Sequence, residues 1–221
     1  LGLTEIAVNA MPRVLVLTSG HEVIEPGESL TAGKIYNSNR AMICGLLEDL
    51  GFHKITHYHV SDAPEELESE INHVLQLSED ADIIISSGGV SVGLFDTMPL
   101  IYEKLGAKSI YARIQMRPGA ASYGAVTPKG QIIFGLSGNP GAAFNGWHLI
   151  VAPTLKRYKG LVNWTTPVVA CVMDSEIFKR NAFDRYVQGK VIFGGGAPRF
   201  VANRHFNSSS MLGLYLSLIH I

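Results

Sequence analysis

The chain has 221 residues, 47% of them hydrophobic and 17% charged, with a formal net charge of −1. This is a globular composition, long enough for one sizeable domain and a smaller second one, and not a disordered one. The charge balance gives no broad basic surface and argues against a nucleic-acid partner. No apolar run approaches the roughly 18 residues of a membrane span. Two cysteines, Cys44 in an expected helix and Cys171 in an expected strand, read as reduced core residues, which suits the cytoplasm.

Residues 1–12 show no period and end in Met11-Pro12, so they read as a linker. Arg13 to Thr18 is a short apolar run, an expected first parallel strand, broken at Ser19-Gly20 with Glu22 following. Glu25 to Gly33 has loop composition. Asn37-Ser38-Asn39 supplies helix caps. The helix runs to Leu50 with Met42, Leu46, Leu47 and Leu50 on one side and Gly51 after it. Lys54 to His59 is a second strand. Asp62 is expected to cap the next helix, with Pro64 in the first turn, Glu65 completing a capping box and Leu67, Ile71, Val74 and Leu75 as its apolar stripe.

The most informative stretch is Ile83 to Asp96. Three β-branched residues run into Ser86-Ser87-Gly88-Gly89-Val90-Ser91-Val92-Gly93, with Asp96 just before a helix from about Thr97 to Leu105. A buried strand, a Gly-rich turn and a helix start form the arrangement by which α/β folds bind anions. A carboxylate repels a phosphate unless a cation lies between them, so Asp96 points either to a bridging Mg²⁺ or to a general base.

Ser109 to Ile114 reads as a strand. Ser122 to Val126 and Gln131 to Leu136 flank Thr127-Pro128-Lys129-Gly130 as a hairpin. Gly138-Asn139-Pro140 then opens a helix to about Tyr158, kinked near Pro153. The alternation predicts an α/β fold over residues 13–160: three layers around a mostly parallel sheet, with ligand loops beyond the carboxyl ends of the strands. After Gly160 the strands Val168–Met173, Tyr186–Phe193 and Phe200–Ala202 follow without helices. Residues 166–221 therefore read as a small, incomplete all-β domain.

Two rival chemistries arise. Gly89-Val90-Ser91-Val92-Gly93 matches the nucleophile elbow G-x-S-x-G of serine hydrolases. None of the later histidines, His148, His205 and His220, occupies a loop after a late strand of the α/β sheet, where a base would be needed. His53, His57 and His59 are clustered but lack a third ligand at metal spacing, so they read as a solvated strand edge. The run Glu65, Glu66, Glu68 and Glu70 reads as a solvated helix face.

Taken together, five ordered motifs resemble the molybdopterin molybdenumtransferase family, the E-type half of gephyrin-like proteins. They are Thr18-Ser19-Gly20-His21-Glu22 with Glu25-Pro26-Gly27, Ile35 to Arg40, Ser86 to Asp96, Met116-Arg117-Pro118-Gly119, and Gly138-Asn139-Pro140. The resemblance is close from Pro12 to Tyr158 and looser in the β part. It implies insertion of molybdate into molybdopterin or adenylylated molybdopterin with release of AMP, assisted by Mg²⁺. It also implies a homodimer, and two N-terminal domains that precede this segment and help form the cleft. A binding module without turnover and a molybdopterin adenylyltransferase are the neighbouring alternatives.

Position by position, the resemblance assigns catalytic roles to Glu22, Asp62, Asp96 and Arg117, with Asp96 also the metal ligand. It assigns substrate binding to Ser19, Gly20, Asn37 and Ser38, to Gly88, Gly89, Ser91 and Gly93 in the phosphate loop, and to Pro118 and Gly119. Gly138, Asn139 and Pro140 form the second substrate loop, and Ser209 matches a serine of the β part. The chain departs from the family where Ala120 and Ala121 replace Lys-Pro, where Ser137 replaces Pro and where Gln188 replaces Arg. Losing cations beside an anion weakens binding or transition-state stabilisation.

Overall fold

The computed structural model describes residues 2–89, 97–174 and 184–203. Its centre is a six-stranded sheet. In chain order the elements are β1 (Val14–Ser19), β2 (Val23–Ile24), β3 (Ile35–Tyr36), α1 (Ser38–Asp49), β4 (Ile55–Val60), α2 (Leu67–Ser78), β5 (Ile83–Ser87) and α3 (Thr97–Lys104). They continue with β6 (Lys108–Tyr111), β7 (Met116–Arg117), β8 (Tyr123–Val126), β9 (Ile132–Leu136), α4 (Pro140–Gly146) and α5 (Ala152–Tyr158), then β10 (Val172–Met173), β11 (Asp184–Arg185), β12 (Gly189–Ile192) and β13 (Arg199–Ala202). The sheet order is β4-β1-β5-β9-β8-β6. The first four strands run parallel, and β8 alone runs against them, pairing antiparallel with both β9 and β6. The fold is therefore α/β with a mostly parallel sheet, as the alternation predicts.

Side-chain alternation explains the three layers. Val14, Val16, Ile83 and Ile85 face one way and pack with Ile43 and Leu47 of α1 and with Trp147, Val151 and Leu155. Leu15, Leu17 and Ile84 face the other way and pack with Val74 of α2 and Met98 and Ile101 of α3. Because β1 and β5 are covered on both faces, they read as unbroken apolar runs. Helix α1 begins and ends where its sequence signals stand: Asn37 is the N-cap, accepting from the N–H of Arg40, and Gly51 follows at φ +80°.

Helix α2 does not. Its first residue is Leu67, and Glu66 precedes it without a side-chain cap bond. Asp62 is therefore not the expected cap. The entry is anchored from further in: Glu70 accepts from the Tyr58 hydroxyl at 2.9 Å and from Ser61 N–H at 3.2 Å. Glu70 thus leaves the solvated face assigned to it, whereas Glu65, Glu66 and Glu68 are exposed.

Helix α4 runs into α5 through a π-helical turn, Trp147–Val151. Pro153 lacks an N–H and cannot continue the ladder, so the expected irregularity falls in the turn just before it. Thr154 donates its hydroxyl to Ile150 O at 2.7 Å.

Beyond Gly160 the described residues hold short strands and no helix. β13 pairs with β10 in parallel and with β12 antiparallel. β10 and β12 are shorter than the apolar runs suggest, whereas β13 begins one residue earlier than expected. β11 instead pairs in parallel with β7, joining residues after 183 to the Met116–Gly119 motif. Among the described residues no helix is long and apolar enough to cross a membrane.

Candidate functional site

A cleft of about 300 Å³ lies beyond the carboxyl ends of β1, β4, β5 and β9. The β1 loop supplies Ser19, Gly20 and Glu22, the start of α1 supplies Asn37 and Ser38, and the end of β4 supplies Asp62. Gly88 and Gly89 follow β5, and Gly138 and Pro140 follow β9. Ten residues chosen from separate motifs therefore share one cavity. Asn139 stands beside it as the N-cap of α4, its Oδ1 accepting from Ala142 N–H at 3.2 Å. Ser91, Gly93, Asp96 and Ser209 lie outside the described residues.

The Met116–Gly119 motif is not among the residues lining this cleft. Pro118 O accepts from Asn145 of α4 at 3.3 Å, and a Cβ at Gly119 would lie 3.4 Å from Ala142 O. Arg117 is exposed and its carbonyl accepts from Tyr186 N–H at 2.8 Å. The motif thus packs on the helix that borders the cleft and ties it to β11. Ala121, one of the two residues replacing Lys-Pro, does line the cavity.

Close approach of three loops explains the glycines. A Cβ at Gly88 would sit 2.5 Å from Ser19 O, and one at Gly138 would sit 3.4 Å from the Gly88 Cα. Gly88 has φ +89° and Gly89 φ +59°, conformations that glycine adopts without strain. The N–H of Gly88 is already committed to Leu136 O at 3.2 Å, so it is not a free anion donor.

Asn39 and Thr18, for which the motifs imply no role, are both central to the site. Asn39 donates through Nδ2 to Ser87 Oγ at 2.8 Å and to Gly138 O at 2.9 Å. Ser87 donates its own proton to Ser137 O at 3.1 Å. A carbonyl cannot donate, so the amide orientation of Asn39 is fixed, and its Oδ1 is left buried without a hydrogen-bond partner. Asp62 Oδ1 is buried and unpartnered as well.

Below the cleft, Thr18 Oγ1 accepts from Asn37 Nδ2 at 2.9 Å and contacts His57 Nε2 and His59 Nδ1, each at 3.1 Å. With one proton to give, the hydroxyl donates to one imidazole and accepts from the other. His57 and His59 are therefore half-buried members of a network, not a solvated strand edge. Burial first, then the Arg40 charge, lowers the His57 pKa from 6.5 to about 4, against the opposing pull of Glu25. Burial raises the Glu25 pKa, but hydrogen bonds from Asn37 and Arg40 and the Arg40 charge outweigh it and hold the carboxyl below its usual range. The period-2 placement of His57 and His59 on one strand face was readable from the sequence, but their partner Thr18 on the neighbouring strand was not.

No Lys, Arg or His is among the described residues lining the cleft, whereas Glu22 and Asp62 are. Its described lining is rich in acceptors and poor in fixed positive charge.

The family model described as a probable molybdopterin binding domain matches residues 15–157. The chain belongs to this family. A molybdopterin molybdenumtransferase of Staphylococcus aureus (strain MRSA252) is 33% identical over 213 residues, covering 96% of this chain and 50% of that protein. The Staphylococcus epidermidis (strain ATCC 35984) protein of the same name is 33% identical over 193 residues, 86% of this chain and 44% of its own. The chain thus spans about half the length of these relatives. In fold it is similar to the molybdopterin biosynthesis moea protein of Pyrococcus horikosii, with a TM-score of 0.69 and 23% identity over 93% of this chain and 48% of that one. It is similar also to the molybdopterin biosynthesis Mog protein of Mycobacterium ulcerans, at 0.51 and 19% over 67% of this chain and 97% of that one.

Proposed function

We propose that this chain is the substrate-binding part of a molybdopterin molybdenumtransferase, which inserts molybdate into adenylylated molybdopterin and releases AMP. The observation that carries it is the meeting of the Ser19–Glu22, Asn37–Ser38, Gly88–Gly89 and Gly138–Pro140 motifs around one cleft. Identity to the staphylococcal transferases extends over 213 residues, past the α/β domain, which favours this reading over an adenylyltransferase.

The cleft divides the work. Gly88 lets its loop close on Ser19 O, an approach that a Cβ would block, and so shapes the cleft wall. Asn39 orients the ligand loops indirectly, tying Ser87 to Gly138 through its Nδ2. The resident cation implied by the family is Mg²⁺. Two carboxylates in the cleft, one with an orphaned buried oxygen, and a lining without Lys or Arg fit an oxygen-seeking ion that keeps waters and shares a substrate phosphate. Among the described residues no group of three or more His, Cys, Asp or Glu is placed to hold an ion. Asp96 would complete the set with Asp62. When bound, the cation neutralises the adenylate phosphate and polarises it toward attack. Glu22, which lines the cleft, is assigned the general acid–base role in this reading.

Titration with molybdopterin and its adenylylated form, against NAD and ATP controls, tests the assignment. The pterins are expected to bind tighter, and tighter NAD binding would overturn it. A serine hydrolase predicts fluorophosphonate labelling of Ser91 that disappears in Ser91→Ala; no labelling is expected. The homodimer and contributions from further domains belong to the same proposal and are read from sedimentation of the full-length protein.

A further inference from the structure

One wall of the cleft is the short strand pair β2 and β3, with Ile24 opposite Tyr36 in register. Backbone bonds fix it at both ends: Ile35 N–H donates to Glu22 O and Asn37 N–H to Ile24 O, both at 2.8 Å. Tyr36 lines the cleft, yet 45% of its surface stays exposed. An exposed tyrosine ordinarily samples several rotamers. Here the hydroxyl donates to Glu28 O at 3.1 Å, which holds the ring in one place. Among the described residues lining the cleft it is the one aromatic side chain.

A half-exposed ring, held through its hydroxyl, thus stands in a cleft whose other described lining residues are small, polar, acidic or aliphatic. Its uncovered face suits a flat nitrogen heterocycle, which stacks on an aromatic ring through dispersion and complementary quadrupoles. We propose that Tyr36 is the stacking platform for the ligand's heterocycle and makes the cleft select a ring-bearing phosphate over a bare one. The inference rests on the molybdopterin reading, whose ligand offers two such rings, the pterin and, when adenylylated, the adenine.

The test is titration of the chain, its Tyr36→Phe variant and its Tyr36→Ala variant with 6-hydroxymethylpterin phosphate, with AMP and with inorganic pyrophosphate. Pterin fluorescence and the displacement of its absorption band report stacking, and calorimetry reports the other ligands. Tyr36→Ala is expected to weaken one ring ligand by roughly ten- to a hundred-fold. Tyr36→Phe, which keeps the ring but loses the Glu28 bond, is expected to lose less affinity than Tyr36→Ala, and pyrophosphate binding is expected to stay unchanged in both variants. Whichever ring ligand weakens identifies pterin or adenine as the stacked group. Loss of pyrophosphate affinity in parallel would show that Tyr36 acts through the strand pair and would overturn the platform. Unchanged binding of both ring ligands to Tyr36→Ala would overturn it too, leaving the molybdopterin reading intact. Wild type that prefers neither ring ligand over pyrophosphate would overturn that reading and the platform together.

Discussion

Asn37 Nδ2 lies 2.9 Å from Thr18 Oγ1, and this bond joins the N-cap of α1 to the end of the central strand β1. The second hydrogen of the same amide goes to Glu25 Oε1 at 2.8 Å, and Oδ1 accepts from Arg40 N–H at 3.0 Å. One buried side chain therefore fixes the helix start, the cleft loop and the Thr18 hydroxyl.

Replacing Asn37 by Ala removes the cap and one donor each from Thr18 and Glu25, which keep only their histidine and Arg40 contacts. The expected loss is about 2–4 kcal/mol of unfolding free energy. Asn37→Asp keeps the cap acceptor but loses both donors and faces Glu25 with a second carboxylate. It should be destabilised nearly as much at neutral pH. Denaturant unfolding of the two variants checks this, and an Asn37→Asp protein as stable as wild type would contradict the clamp.

Stability should fall with acid in a window set by His57. Its folded-state pKa of about 4 lies below the ordinary 6.5, so between those values the unfolded chain binds more protons. The His57 contribution is complete above pH 6.5 and is lost as pH falls toward 4. His148, lowered by burial and then by Lys156, acts in the same direction, while the lowered pKa of Glu25 acts below its ordinary value of 4.5. Unfolding measured from pH 7 to 5 should show a decline that is reduced in His57→Gln and reduced further when His148→Gln is added. A slope unchanged in the double variant would be the contrary result.

These networks also mark where the sequence was readable. Strands β1 and β5 were legible because both faces are buried, which forces unbroken apolar runs. The Asn37 and Gly51 helix signals worked because capping is a local interaction. The start of α2 was misread because Asp62-Pro64-Glu65 imitates a capping box, while the bonds that anchor the helix come from Tyr58 and Ser61 to Glu70. Likewise, His57 and His59 looked solvent-facing because their partner, Thr18, is about forty residues away in sequence. The residues of the cleft were legible through motif resemblance. The acceptor character of Asn39 was not, since it depends on the direction of a hydrogen-bond chain through Ser87 and Ser137.

The two glycines after β5 should respond unequally to a methyl group. At Gly88 the new Cβ would be 2.5 Å from a backbone oxygen, Ser19 O, which can move only with its strand. At Gly89 it would be 2.7 Å from Ser19 Oγ and 3.1 Å from the Met98 side chain, and these can rotate away. Both substitutions carry the strain of positive φ, on the order of 1 kcal/mol. Gly88→Ala should therefore cost distinctly more, about 2–4 kcal/mol, and should also weaken ligand binding by displacing Ser19. Equal losses in paired thermal melts would contradict the close approach.

Turnover is the property on which the missing cations bear most. The motif resemblance implies Lys-Pro where Ala120 and Ala121 stand, and Ala121 lines a cleft whose described lining has no Lys or Arg. Arg117 is exposed in β7 and is not part of that lining. If a cation is needed beside the transferred oxyanion, Ala120→Lys should raise cofactor formation from adenylylated molybdopterin and molybdate in the full-length protein. One well-placed charge contributes about 2–4 kcal/mol in the transition state, or a rate gain of roughly thirty- to a thousand-fold. Arg117→Ala should lower activity less than that if Arg117 acts by holding β7 against β11. Asp96→Asn should lower it strongly in both backgrounds, with the loss relieved in part by raising Mg²⁺. Cofactor formation by the wild type at a rate that Ala120→Lys does not increase would show that the cleft manages without the lysine. Full activity of Asp96→Asn would remove the cation-holding role assigned to that carboxylate.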